Sequence, residues 1–150
     1  MAYVGASDTP AGCIFCSALA SDDDRRNLVL LRGAHSFLIL NAFPYTTGHL
    51  MTVLNRHAGS IVEATIDELG DAMRLVQRAV AALSREYRPH GYNIGVNQGA
   101  AAGAGIQDHL HVHVVPRWSG DSNFMPVIGD VRVLPESLDR TWERLRSRLP

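Results

Sequence analysis

The run Asp108-His109-Leu110-His111-Val112-His113-Val114-Val115-Pro116-Arg117-Trp118 constrains this chain more than any other stretch. Three histidines alternate with apolar residues. Successive side chains of a strand point to opposite faces, so His109, His111 and His113 share one face and Leu110, Val112 and Val114 the other. The apolar face belongs to a core, and the imidazoles line a cleft. Same-face neighbours lie roughly 6.5–7 Å apart at a rise of about 3.3 Å per residue, so one small ligand can touch two rings.

Three chemistries compete for such a ladder. A strand edge with solvated histidines is the plainest, although imidazole has no strand preference that would set three in a row. An all-histidine catalytic metal site needs a further ligand and an open coordination position. In nucleophilic catalysis one imidazole attacks phosphorus while its neighbours orient it and stabilise the transferred group. The stretch Asn97-Gln98-Gly99-Ala100-Ala101-Ala102-Gly103-Ala104-Gly105 favours the last. A loop so poor in side chains lets backbone N–H groups approach an anion closely.

At 150 residues, 46% hydrophobic and with a net charge of -1, the chain has the size of one domain with a real core. It offers no electrostatic case for binding nucleic acid or a membrane surface. All 14 basic residues are arginine, which excludes Schiff-base and P-loop lysine chemistry. Residues 1–12 read as a flexible tail without a charged n-region or apolar h-region, and no run approaches the length of a membrane span. The expected location is cytoplasmic.

Cys13-Ile14-Phe15-Cys16 holds both cysteines. Such a pair is either a redox couple, which wants a following helix in a thioredoxin-like βαβ unit that the pattern does not offer, or half of a zinc site. Asp22 to Arg26 reads as a solvated turn or helix end. Asn27–Arg32 and Ser36–Phe43 read as strands of a hairpin around Gly33-Ala34-His35, and His49–Leu54 as the next strand after the turn Pro44 to Gly48. His49 is expected to be a buried structural histidine; His35 and His90 fall in loops. Thr65 with Glu68 forms a capping-box pattern opening a helix that Leu69, Met73, Val76, Val80 and Leu83 carry to Tyr87, before Pro89. Gly91–Asn97 then reads as a strand. Asp121–Arg132 is irregular with a possible short strand, and Pro135-Glu136-Ser137-Leu138 opens a last helix with Leu138, Trp142 and Leu145 on one stripe. Arg117 can reach a distal phosphate or pair with a carboxylate, and Trp118 can pack at a dimer interface or beside a substrate. Phe15, Phe37, Leu38 and Phe43 are candidates for a base pocket as well as for plain core.

From His109 to Val115 the chain matches His-φ-His-φ-His-φ-φ, with φ apolar, at every position. With Asn41-Ala42-Phe43-Pro44-Tyr45, Gly48-His49-Leu50, Asn97 and its glycine loop, and Pro116-Arg117-Trp118, it resembles the histidine triad (HIT) family of nucleotide hydrolases and transferases. The run from Arg88-Pro89-His90-Gly91-Tyr92-Asn93 to Phe124 looks most like the diadenosine-polyphosphate phosphorylase branch, and the resemblance covers roughly residues 13 to 135. It implies an α+β fold: an antiparallel sheet of about five strands, one long helix packed on it and a short C-terminal helix, as a single domain over residues 13–150. It implies that His111 attacks the α-phosphorus of an adenosine-type nucleotide and forms a nucleotidyl-histidine that water or inorganic phosphate resolves. His113 then hydrogen-bonds a phosphoryl or bridging oxygen. Asn41, Asn97, Gly103, Gly105 and Gln107 bind nucleoside and phosphate together with His111 and His113. It further implies a structural zinc on Cys13, Cys16, His57 and His109, no catalytic metal, and a two-fold homodimer through the long helix and a shared sheet.

Several positions depart from the family pattern. Asn41 stands where an acidic residue usually holds the ribose hydroxyls; an amide can accept one hydroxyl hydrogen bond and donate another, and capping of the turn before Pro44 is its other reading. Thr47 and Asn55 replace prolines. Gly105 stands where a phosphate-contacting serine is common, which leaves that contact to backbone N–H groups or Gln107. Two alternatives therefore accompany the main reading: a phosphoramidate or aminoacyl-adenylate hydrolase using the same residues, and a non-catalytic nucleotide-binding protein.

Overall fold

The computed structural model describes residues 12–122, 128–129 and 135–150. Helix α1 (Ile14–Ala20) leads into strands β1 (Val29–Arg32), β2 (Ser36–Leu40) and β3 (Leu50–Leu54). The long helix α2 (Ile66–Tyr87), strand β4 (Gly91–Gly95), a 3-10 turn (Ala100–Ala102), strand β5 (His111–Arg117) and helix α3 (Leu138–Arg146) follow. The sheet order is β1-β2-β3-β5-β4, and every neighbouring pair is antiparallel. The expected α+β architecture is what the chain adopts, with α1 in addition. The expected tail and most of the irregular segment before Pro135 lie outside the described residues.

Because β3 crosses over through α2 before β4 forms, β5 returns between them and becomes an interior strand. That placement buries the histidine strand on both sides. Its neighbours read off in rows: Phe37, Val53 and His111 on one face; Leu38, Thr52 and Val112 on the other; Ile39, Met51 and His113 on the first again. Leu38, Leu40, Leu50 and Val114 pack under Leu75, Val76, Ala79, Ala82 and Leu83 of α2. Phe37, Ile39, Met51 and Val53 pack under Phe15 and Ala18 of α1. Both faces are covered, so β2 and β3 read as continuous apolar runs rather than alternating ones. Leu38 therefore belongs to the α2 core and not to a pocket beside the imidazoles. Phe15 and Phe37 are fully buried on the imidazole face, whereas Phe43 is exposed.

Helix α2 starts as its capping box requires, with Thr65 accepting from the Glu68 N–H and the Glu68 carboxylate accepting from the Thr65 N–H. It ends at Arg88, which is left-handed at φ 49°, before Pro89. Its buried stripe differs from the apolar spacing in the sequence. Glu68, Asp71, Ala72, Leu75, Val76, Ala79, Ala82 and Leu83 face inward, and Met73 lies outside. Small alanines let the helix approach the sheet, and the two acids are tolerated because each is satisfied. Glu68 pairs with Arg56 at 2.8 Å, and Asp71 accepts from the Ser36 hydroxyl and the His35 N–H.

Strand boundaries are tighter than the apolar runs suggest, with β2 ending at Leu40 and β4 at Gly95. At the other end β5 extends through Pro116, which pairs with Tyr92. Proline is accepted there because β3 ends opposite Val114, so the missing N–H has no ladder partner to disappoint. The acidic turn does more than face water: Arg25 forks onto Asp139 and also reaches Glu143 of α3.

Candidate functional site

The two glycines that shape the site act through backbone geometry. Gly48 is left-handed at φ 82°, and a Cβ there would meet Leu83 Cδ2 at 2.8 Å. It turns the chain so that His49 enters buried, on the face shared by Met51 and Val53. Gly59 lies so close to the approach to β5 that a Cβ would stand 2.9 Å from the Gln107 carbonyl oxygen. That contact, with Leu110 N–H donating to the Ala58 carbonyl at 2.7 Å, brings His57 beside His109.

Each buried imidazole has its tautomer fixed by a partner whose role is unambiguous. His111 Nδ1 stands 2.8 Å from the His109 carbonyl oxygen. A carbonyl only accepts, so Nδ1 carries the proton and the lone pair sits on Nε2. The Tyr45 N–H donates to His49 Nδ1 at 3.1 Å. Neutral His49 must then carry its proton on Nε2, which faces His113 Nδ1 at 3.0 Å. His113 accepts there and keeps its own proton on Nε2. The pair is thus one acceptor nitrogen on His111 beside one donor nitrogen on His113, with ring centroids 4.9 Å apart. Burial lowers the basicity of all three ladder histidines; for His113 it acts together with the neighbouring His111 to bring the pKa down to about 4. The two rings are neutral at pH 7, the state a nucleophile and a hydrogen-bond donor need.

His109 lies just before β5, and its ring turns away from this pair. Its Nε2 donates to the Leu54 carbonyl at 2.7 Å, which leaves the Nδ1 lone pair for the cysteines. Cys13 Sγ is 3.3 Å and Cys16 Sγ 3.6 Å from that nitrogen, and Cys16 Sγ is 3.3 Å from His57 Nδ1. Donor atoms of Cys13, Cys16, His57 and His109 all lie within 4.8 Å of one another. A tetrahedral zinc with Zn–S of about 2.3 Å and Zn–N of about 2.0 Å sets its S and N donors roughly 3.5 Å apart, so the four residues fit that ion. The carbonyl behind His109 is the kind of outer partner that orients a metal-binding imidazole.

The remaining expected residues lie in two connecting segments, one after β2 and one between β4 and β5. Asn41 is buried, and its Oδ1 accepts from the Phe43 N–H, so it caps the turn before Pro44. Asn97, Gly103, Gly105 and Gln107 lie in the loop between β4 and β5, where Gly99 and Gly103 both have φ above 80°. Gln98 braces this loop by accepting from the Ile61 N–H. Arg117 is committed to Asp121, through two hydrogen bonds of 2.7 and 2.8 Å, and to Asn93. It pairs with a carboxylate, as one of its two readings has it. Three contributors escape the sequence motif. Phe15 packs against both His109 and His111 at 5.4 and 5.2 Å; the Leu54 carbonyl orients His109; and His49 sets the His113 tautomer. The alternation His49, Met51, Val53 was the available signal for the last, but it needs the β3–β5 pairing to be read.

Comparison with known proteins follows the same lines. The model of the HIT domain matches residues 24–120. The AP-4-A phosphorylase of Mycobacterium tuberculosis is 42% identical over 118 residues, 79% of this chain and 60% of that protein, so the chain spans about 60% of that relative's length. Adenosine 5'-monophosphoramidase hnt1 of Schizosaccharomyces pombe is 25% identical, over 91% of this chain and 98% of its own. Among solved structures, a zinc-bound histidine triad family protein from Mycobacterium smegmatis superposes with a TM-score of 0.74 at 22% identity, covering 93% of this chain and 94% of that one, a likeness of fold.

Proposed function

The chain belongs to the histidine triad family, and from that premise we propose that it is a nucleotidyl hydrolase or transferase acting at the α-phosphorus of adenosine-type dinucleoside polyphosphates or related anhydrides. His111 Nε2 attacks phosphorus in line, the P–O bond to the leaving group breaks, and a nucleotidyl-histidine forms. Water, or inorganic phosphate in a phosphorylase, then releases the nucleotide. His113 Nε2–H hydrogen-bonds the phosphoryl or bridging oxygen. Asn97 and the Gly105 N–H neutralise the non-bridging oxygens, since the N–H groups of Gly103 and Ala104 are spent on the Ala100 and Gly99 carbonyls; Gln107 is the other contact in place of the serine that Gly105 replaces, and Asn41 lies toward the ribose. Cys13, Cys16, His57 and His109 would hold a zinc ion, which would cross-link α1, the 55–60 loop and the approach to β5. We place this work in the cytoplasm, a reducing compartment that keeps such ligand thiols unpaired.

The observation that carries this reading is the bond from His111 Nδ1 to the His109 carbonyl, which dedicates Nε2 to attack. A phosphoramidate is the second substrate class, favoured by the monophosphoramidase relative. The low basicity of His113 favours an anhydride: a polyphosphate departs as an anion, whereas an amine must be handed a proton. The test is rapid quenching with diadenosine tetraphosphate and, separately, an adenosine phosphoramidate, with and without inorganic phosphate. An adenylyl adduct mapped to His111, and phosphate-dependent formation of adenosine diphosphate from the tetraphosphate, is the expected result. Equal turnover by His111→Gly and the unaltered protein rejects it.

We also propose that two copies pair through β4 and α2. In support, β4 is an outer strand whose residues Asn93 to Gly95 are exposed, Ile94 is 46% exposed, and Met73 of α2 is 49% exposed.

A further inference from the structure

The start of helix α1 brings together both cysteines and the ring that backs the proposed nucleophile, and this juxtaposition has chemistry of its own. Cys13 occupies the N-cap position, without a side-chain cap, and Cys16 lies within the first turn. Their Sγ atoms are within 4.8 Å of each other and both residues are only partly buried. The spacing Cys-x-x-Cys at the start of a helix is one that a disulfide can close. Between the two cysteines, Phe15 packs edge-on against His109 and against the tilted ring of His111. His109 in turn faces the cysteines with its ring and holds His111 with its carbonyl.

We propose that Cys13 and Cys16 are a modification site: a hydroperoxide oxidises the pair to a disulfide, which gives up the zinc and releases His109 and Phe15 from the positions that orient His111. One thiolate attacks a peroxide oxygen, becomes a sulfenic acid and sends off the other oxygen as hydroxide. The second thiolate attacks that sulfur, forms the S–S bond and expels a second hydroxide. Two electrons leave the sulfur pair, one peroxide becomes two waters with two solvent protons, and the metal departs as a dication because a disulfide is a poor ligand. His57 is exposed and His109 is buried, so once the sulfurs are lost only two imidazoles from different segments remain, too few for a closed site. The first half stands on the thiols and metal alone; the second half, loss of turnover, rests on His111 being the nucleophile.

The test uses the full chain loaded with zinc and titrated with hydrogen peroxide. Free zinc is read with a chromogenic chelator, the disulfide by mass and peptide mapping, and the His111 tautomer by two-bond proton–nitrogen NMR. Expected are one zinc released per Cys13–Cys16 disulfide, a shift of the His111 ring signals from a pure Nδ1–H pattern toward mixed tautomers, turnover reduced by roughly tenfold or more, and full reversal by dithiothreitol with zinc. Retention of zinc at peroxide sufficient to oxidise a free dithiol, or sulfinic acid in place of the disulfide, overturns the modification site. Zinc release with an unchanged His111 spectrum overturns the coupling. A reduced, zinc-loaded protein without turnover tells against the proposed function, and the metal, mass and NMR readings still decide the switch.

Discussion

His49 illustrates how one side chain fixes the chemistry of another without touching the reacting atoms. The Tyr45 N–H donates to its Nδ1, so its proton sits on Nε2 and is donated in a hydrogen bond to His113 Nδ1, which leaves the N–H of His113 on Nε2. Replacing it by phenylalanine keeps the bulk and removes the donor. We expect His49→Phe to mix the His113 tautomers in NMR and to lower turnover by about 10- to 100-fold with substrate binding little changed; an unaltered His113 spectrum rejects the relay. Gly48 is the backbone counterpart. Gly48→Ala combines a left-handed φ with a 2.8 Å approach to Leu83, so urea unfolding should show a loss of about 1–3 kcal/mol. The motif itself is legible at this scale, since alternation alone puts His111 and His113 on one face. His49 is not, because its role depends on β3 lying beside β5, a pairing between residues far apart in sequence.

Among elements, the 55–60 loop and α1 converge on His109 from different parts of the chain. Gly59 makes that convergence possible by letting backbone meet backbone. Gly59→Ala touches no donor atom, yet it should push the His57 loop outward and raise the zinc dissociation constant by roughly 10- to 100-fold, read by competition with a chelator. Unchanged zinc retention would show that the close approach is not needed. Helix α2 gives the complementary case, an element whose start is written locally. Thr65→Ala removes the cap and should cost about 1 kcal/mol in urea unfolding without affecting zinc. The helix's extent follows from its capping box and Pro89, but its buried stripe does not. Glu68 and Asp71 face inward because Arg56 and Ser36 meet them there, and those partners come from other elements.

For the molecule as a whole, stability is acid-sensitive in a defined window. Burial brings His113 from 6.5 down to about 4, so between those values the unfolded chain binds a proton that the folded chain refuses. That contribution is complete above 6.5 and is lost as the pH falls toward 4. Glu68, held by Arg56 and by the Thr65 N–H at about 2 against 4.5, adds stability that is lost over the next window down. Comparing urea midpoints of the native chain and His113→Asn across pH cancels the metal ligands common to both. The native chain should lose its margin over the variant between 6.5 and 4, and parallel curves reject the assignment. Assembly is the other property of this scale: if β4 is the seam, Ile94→Arg should convert a sedimenting dimer into a monomer with the His111 tautomer intact.

By itself the sequence determined the histidine alternation, the small-residue loop before it, the cap and stop of α2, and a pair of cysteines spaced for a metal, because each depends on backbone periodicity or on contacts within a few residues. Only the tertiary structure decided that the His109 ring leaves the face that alternation gives all three histidines, that Arg117 is spent on Asp121, and that Phe15 and His49 back the imidazole pair. The physical reason is that a ring nitrogen takes its role from whichever carbonyl, amide or imidazole the fold brings to its other side. Those partners are delivered by β5 inserting between β3 and β4.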